Sequence, residues 1–425
     1  MDEAASAAGA PAVADRWGPI VAAVAVALFF ASWGGIHYGF YKQTTIEDTG
    51  IYERYGDAMV NGAAPYRDFA VEYPPAALPV FAAPSLVAQA GDISAYRQAF
   101  EALMSLLGAA AAGVVAFLLL GEHAGRGRIA FGIGLASLAP LAIGSVILSR
   151  FDLWPALLTV VALALFVEGR ERLGSGVLGT ALAAKLYPGV LLPLALVRVW
   201  RRSGAREAGV CAGIFVGVAA AWYVPFVAIS PGGVWHSISV QTSRPLQLES
   251  LGSSILLAAH QVFGISLTMR SGHGSQNLAG TAPDVLAALQ TVLQLTALVY
   301  VWWTFASGEP TRARFLRSSA AAVCAFVALG KVLSPQFLIW LIPLVPLVRG
   351  RRLVVAGSLF LAAMILTQVE FPYRYWALAL DFAAVPSWVV FARDLVLVAL
   401  LAVLALPGVP RIFTAGSPHR NDGRP

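Results

Sequence analysis

The segment Ile46–Pro75 reads IEDTGIYERYGDAMVNGAAPYRDFAVEYPP and holds eight acidic or basic side chains, three glycines and three prolines. Its adjacent carboxylates Glu47 and Asp48, and Glu72 further along, are of the type that takes a proton from a hydroxyl while its oxygen attacks an electrophilic carbon. Such a base must sit about 2.6–3.2 Å from that hydroxyl. The double proline after Tyr73 pushes Tyr73 towards extended backbone, so the loop has a stiff end that could hold Glu72 towards a cavity. Tyr52, Tyr66 and Tyr73 could stack on or hydrogen-bond to a sugar, and would serve equally well as aromatic anchors at a membrane interface.

More charges stand where an apolar chain can ill accommodate them. Arg150 and Asp152 share the short stretch SRFD, Arg244 and Glu249 lie in QTSRPLQLES, and Lys331 precedes SPQ with Gln336. Glu370, Tyr373 and Arg374 close another turn, and His236 sits in a polar loop. Ionisable groups at membrane depth are costly and are functional candidates by default. The expectation is that they line one outward-facing cavity, the bland alternative being that helix-end charges only anchor the chain among lipid headgroups. Asp152 could orient Arg150, accept sugar hydroxyls, or clamp two hairpins together. Lys185, in KLYP, would be remote from such a cavity if its segment, 175–197, dips in from the cytoplasmic face, and could reach it if the segment crosses. It is left out of the primary site.

The elements that must position these groups are membrane spans. The chain has 425 residues, 58% hydrophobic and 12% charged, with mean hydropathy +0.72, whereas a soluble domain carries about 25% charge. Several runs approach the length that crosses roughly 30 Å of hydrocarbon, and lipid-exposed backbone must satisfy itself, which dictates helices. Spans are expected near 19–40, 98–120, 129–148, 153–167, 208–228, 285–307, 318–333, 336–348, 353–369 and 386–407. Residues 76–91, 175–197 and 251–264 are short or proline-broken, so the count is about ten to thirteen. Arginine-rich connections at 122–128, 168–172, 198–207, 309–317 and 349–352 belong on the cytoplasmic side. That rule leaves 41–75, 149–152, 230–250, 265–284, 333–336 and 370–385 outside.

Residues 1–18 read as a cytoplasmic tail, 19–407 as one membrane domain with 41–75 as its first outer loop, and 408–425 as a polar, disordered tail. The first apolar run reads as a retained span, not a cleaved signal. The net charge of +6 reflects basic span ends, so no nucleic-acid partner is expected. Cys211 and Cys324 lie in apolar segments, which argues against a disulfide scaffold or thiolate metal site. Glu47–Asp48 could hold a divalent cation, but further ligands are missing from the pattern, and no metal or other cofactor is expected. Two classes fit: an enzyme acting on a lipid-linked substrate, and a polytopic lipid or glycolipid transporter. Only one interrupted segment is evident where a transporter would show paired ones, so the enzyme is favoured.

The motifs NGAAPYRDFAVEYPP, SRFDLWPALLTVVAL, AAKLYPGVLLPLALV, RPLQLES and KVLSPQFLIWLIPL together resemble the polyprenol-phosphate-mannose-dependent mannosyltransferases of glycosyltransferase family 87. The resemblance runs from about residue 19 to about 400. It implies a membrane-embedded C-type fold, an extracytoplasmic active site, a polyprenyl-phosphate sugar donor and inversion at the anomeric carbon. It further implies a general base from the first outer loop, which falls on Asp48, with Glu47 as its competitor and Glu72 as a further acidic candidate. The lipid-phosphate leaving group then calls on Arg150, Arg244, Lys331 and Arg374 as donors. Tyr52, Tyr66, Tyr73, Asp152, His236, Gln336 and Glu370 remain for sugar or acceptor. An actinobacterial glycolipid acceptor of phosphatidylinositol mannoside or lipomannan type is implied, and no obligate protein partner. Arabinofuranosyl or glucosyl transfer from the matching lipid phosphate is the alternative within the same fold.

Overall fold

A computed structural model describes residues 12–40, 46–121 and 125–406. Most of the tail expected at 1–18, the tail at 408–425 and the start of the first loop at 41–45 therefore fall outside the described residues. The chain is an all-α polytopic membrane protein. In order, the helices are α1 (Ala12–Gly35), α2 (Thr49–Val60), α3 (Leu78–Ser85), α4 (Ile93–Leu120), α5 (Arg126–Ser137), α6 (Ala139–Ile143), α7 (Leu153–Val167), α8 (Glu171–Ala184) and α9 (Leu192–Ser203). There follow α10 (Ala205–Ile229), α11 (Pro231–Thr242), α12 (Leu251–Phe263), a hairpin of β1 (Thr268–Gly272) and β2 (Ser275–Ala279), α13 (Thr281–Ala306) and α14 (Arg312–Ala328). The last are α15 (Arg351–Glu370), α16 (Tyr375–Asp381) and α17 (Ala384–Ala405).

Among the described residues six helices are long and apolar enough to cross a membrane, and seven if the pair from Arg126 to Ile147, bent by 49°, counts as one. The other expected crossings are shorter. One is α7, which begins and ends where the apolar run does. Another is the run Pro335–Leu347, which forms two 3-10 pieces because Pro335, Pro343 and Pro346 interrupt the α-helical ladder. A 3-10 helix rises about 2 Å per residue, so this run spans more depth than an α-helix of equal length.

The arginine-rich connections gather on one face. Arg312 donates to the Leu118 carbonyl at 2.9 Å and Arg198 to that of Pro310 at 2.7 Å. Arg201 reaches the Ala306 carbonyl at 2.6 Å and Arg352 that of Leu406 at 2.6 Å. Leu118, Ala306 and Leu406 stand at helix C-termini, whose carbonyls have no partner within the helix, and Pro310 lies in the connection between α13 and α14. On the same face Ser203, at the end of α9, donates to Glu171 at the start of α8 at 3.0 Å. The segment 171–203 thus enters the bundle and returns as two half-helices.

The opposite face is built by the first loop. Here α2 packs on α3, and Gly56 makes this possible, since a Cβ there would lie 2.3 Å from the Phe81 carbonyl oxygen. Tyr52 is fully buried between them, stacked on Phe81 with centroids 4.5 Å apart and edge-on to Phe151 at 5.8 Å. The loop's double proline opens a short 3-10 turn, Pro75–Ala77, whose Ala76 carbonyl accepts the Trp154 indole N–H at 3.0 Å. This aromatic core fixes the loop to the start of α7. The short helix α3 matches the expectation for 76–91, an apolar piece that does not cross.

Candidate active site

A cavity of about 530 Å³ opens beneath this loop. Asp48, Glu72, Arg150, Arg244, Lys331 and Gln336 line it, with Tyr73 beside Glu72. The sequence scatters these residues over nearly 300 positions, and the bundle brings them together.

Asp48 precedes α2. An aspartate there usually caps the first turn with its side chain, but this one makes no such bond. Its carboxylate instead pairs with Arg150, whose side chain is 7% exposed against 22% for Asp48, and lies 3.4 Å from the Tyr52 hydroxyl. Glu47 diverges: it pairs with Arg97 of α4 and accepts the Thr49 hydroxyl at 3.0 Å. Of the two adjacent acids only Asp48 belongs to the cavity wall. With each carboxylate taken by an arginine, the pair does not converge on a common point. Among the described residues no group of three His, Cys, Asp or Glu side chains could hold a metal ion.

The rest of the wall comes from elements far along the chain. The Glu72 carbonyl accepts the Gln241 amide at 3.0 Å, and Glu72 faces the turn of the β-hairpin at Gly274. Arg244 donates to the His273 carbonyl in that turn at 3.1 Å, and Lys331 to the Thr242 carbonyl at 3.2 Å. Residues 246–248 run as a third strand-like edge: Leu248 N–H bonds Gln276 at 3.0 Å and Leu278 N–H bonds Leu246 at 3.0 Å. The Gln247 N–H bonds the Lys331 carbonyl at 3.0 Å. These bonds hold Arg244, Glu249, Lys331 and the hairpin in one frame.

Other residues expected at the site are placed elsewhere. Tyr52 is core. Tyr66, 5% exposed, has a left-handed backbone at φ 66°; its hydroxyl donates to the Tyr73 carbonyl at 2.6 Å, so it shapes the loop from behind. Asp152, 1% exposed, lies behind the wall. His236 is exposed on α11, and Arg374 is exposed, donating to the Val369 carbonyl at 2.7 Å; neither lines the cavity. Glu370 is fully buried near Glu249 and Arg393.

Two more residues reach the wall: Glu249, expected among the cavity charges without a role of its own, and Lys185, outside the expected primary site. Glu249 lines the cavity and is backed by Arg393 of α17, whose guanidinium lies 3.6 Å from its carboxylate and also bonds Asp394 at 2.9 Å. Burial is the main force on Glu249: it pushes this loop carboxyl up to about 7, against the pull of Arg393. The signal was present, since adjacent charges inside the last apolar run are costly without partners. Lys185 also lines the cavity. It stands at the tip of the 171–203 hairpin, so the dipping reading of that segment is the observed one. Remoteness does not follow from it, because the half-helices are long enough to carry their tip to the site.

Chemically, the cavity offers one acid held by an arginine, further cations, and sugar-sized room bounded by acids and amides. That suits proton removal from a hydroxyl and stabilisation of an anionic leaving group. No curated protein matches the sequence. Among solved structures, the crystal structure of ArnT from Cupriavidus metallidurans bound to undecaprenyl phosphate is similar at 16% sequence identity and a TM-score of 0.49, over 92% of this chain and 77% of that one. The family model described as Glycosyltransferase family 87 matches residues 71–335, more than half of the chain and most of the cavity wall. The protein is a membrane-embedded glycosyltransferase, and it belongs to glycosyltransferase family 87.

Proposed function

We propose that this enzyme transfers mannose from a polyprenyl-phosphate-mannose donor to a hydroxyl of a glycolipid acceptor, at the extracytoplasmic face of the plasma membrane. The observation that carries the reading is Asp48: the one acid of the first-loop pair that faces the cavity, held by Arg150 across from Arg244 and Lys331. The sidedness rests on the arginine-rich connections, which collect on the face opposite the cavity, as cytoplasmic loops do. A cavity under a large first loop also supports the C-type arrangement that the motifs imply.

In the reaction Asp48 takes the acceptor hydroxyl's proton as that oxygen bonds to the anomeric carbon. The bond from that carbon to the phosphate oxygen breaks, and its electron pair leaves with the lipid phosphate. One displacement inverts the anomeric centre. Arg150 holds the base in position, and the remaining cations meet the phosphate as its charge rises from one towards two. Such donors count when they bind the transition state more strongly than the ground state. The cavity also reaches Thr291 and Gln294 of α13, a helix whose apolar window is only 17% buried by protein. That leaves a side through which a lipid-borne donor can enter.

The test is donor discrimination by purified protein in proteoliposomes, offered polyprenyl-phosphate-linked mannose, glucose or arabinofuranose with a glycolipid acceptor. Transfer of mannose alone, with inverted configuration, is expected. Transfer of either other sugar in its place would overturn the mannose assignment and keep the mechanism. Retention of configuration would overturn the single displacement.

A further inference from the structure

The tip of the 171–203 hairpin is fixed in more ways than a connection requires. The chain leaves α8 at Lys185 in extended conformation, φ −160° and ψ 146°, and turns through the 3-10 segment Tyr187–Leu191. The Tyr187 hydroxyl bonds Thr159 of α7 at 3.0 Å, and the Val190 carbonyl accepts the Trp302 indole at 2.9 Å. Tyr187 stacks flat on Trp340, with centroids 4.1 Å apart. Lys185 itself is 17% exposed and pairs with Asp152 at 2.6 Å, and the Trp340 indole donates to the same Asp152 oxygen at 2.6 Å. Its ammonium also lies 4.6 Å from the Phe151 ring centroid and 5.3 Å from that of Trp340, within cation–π range.

Position separates this cation from the others. Arg150 is engaged by Asp48, while Arg244 and Lys331 are tied to carbonyls of the loops at the mouth. Lys185 stands where the wall turns apolar, beside Leu186, Tyr187, Phe337 and Trp340. A lipid phosphate has its charge next to a hydrocarbon stem and must straddle such a border. The Lys185 ammonium has three donors and gives one to Asp152, so it keeps donors for a second anion.

We propose that Lys185 is the residue that takes up the charge appearing on the lipid phosphate as the sugar leaves, with Asp152 as its resident counterion until then. This rests on the lipid-phosphate donor reading above. Lys185 is then a catalytic residue contacting the leaving group, and Asp152 positions it. A hairpin entering from the face opposite the acceptor would supply the leaving-group half of the site, and the first loop the base half.

The test uses full-length protein in nanodiscs and two probes, undecaprenyl phosphate and uncharged undecaprenol, titrated against wild type, Lys185→Met, Lys185→Arg and Asp152→Asn. Lys185→Met is expected to weaken undecaprenyl phosphate at least about tenfold and leave undecaprenol unchanged, and to lower kcat by ~10²-fold, as loss of one oxyanion donor does. Lys185→Arg should restore most of the phosphate affinity. Asp152→Asn should bind undecaprenyl phosphate within about threefold of wild type or tighter, because the amide oxygen can still accept from Lys185 while the competing charge is gone. If Lys185→Met and Asp152→Asn lose both lipids equally, the pair is only a staple and the proposal fails. Should Lys185→Met not fold, the opposed behaviour expected of Lys185→Arg and Asp152→Asn still decides, since a staple predicts loss of thermal stability in Asp152→Asn with no selectivity for the phosphate. Wild type that binds neither lipid overturns the donor reading itself.

Discussion

At the scale of single residues the account rests on how neighbours are separated. Glu47 and Asp48 are chemically alike and adjacent, yet Arg97 draws one to α4 while Arg150 draws the other to the cavity. The sequence made both visible as candidates, but the partners lie about 50 and 100 positions away, and nothing local tells them apart. Trp340 and Asp152 are likewise 188 positions apart; a tryptophan inside an apolar run looks like any other lipid-facing or core ring. Arg150→Met should therefore act twice. With the arginine gone, the part-buried Asp48 carboxylate loses its partner, and stability should fall by about 1–3 kcal/mol. Because the base also loses its register, kcat should fall by ~10²-fold or more while donor KM changes little. Thermal melting and steady-state kinetics on the same preparation check both parts. Unchanged kcat in a folded variant would show that Arg150 does not position the base.

At the scale of elements, apolar runs and proline breaks were legible and depth was not. The helix α7 occupies the run expected for it, and the proline-rich stretch after Lys331 forms 3-10 turns where its prolines forbid an α-helix. The basic flanks of 175–197 left open a segment that returns to its own side or one that crosses against the charge rule, and the structure shows the return. How far its tip reaches depends on packing of α8 against α10, which Gly179 permits: a Cβ there would stand 2.6 Å from the Phe215 carbonyl oxygen. Gly56 has the same part between α2 and α3. Gly56→Ala should destabilise the protein by about 1–3 kcal/mol through overpacking and lower kcat more than it raises KM, because α2 carries Asp48 at its start. Gly179→Ala should shift the hairpin tip, raising the inhibition constant of undecaprenyl phosphate while α2 stays in place. Identical kinetic defects in the two variants would contradict the division of the site into a base half and a leaving-group half.

Over the whole molecule, one face gathers arginines that satisfy helix ends, and the other gathers acids and bases around a cavity. The buried group of Glu249, Arg393 and Asp394 joins the loop before α12 to α17 at this second face. Since burial raises the Glu249 carboxyl to about 7 from an ordinary 4.5, the folded state holds a proton there that the unfolded chain releases. Its stabilising contribution is present in full below the unfolded value and is lost as pH rises through the folded one. Melting temperature in detergent should therefore decline between about pH 4.5 and 7, the window these two values span. Glu249→Gln should flatten that decline, and an unaltered slope in the variant would assign it to other groups. The most direct test of the account is single-turnover transfer of radiolabelled mannose from polyprenyl-phosphate-mannose by wild type and Asp48→Asn in proteoliposomes. With donor binding and melting temperature retained, Asp48→Asn should transfer ~10²–10⁴-fold more slowly, the usual worth of a general base. Transfer at the wild-type rate would contradict the account, for Asp48 would then not be the base.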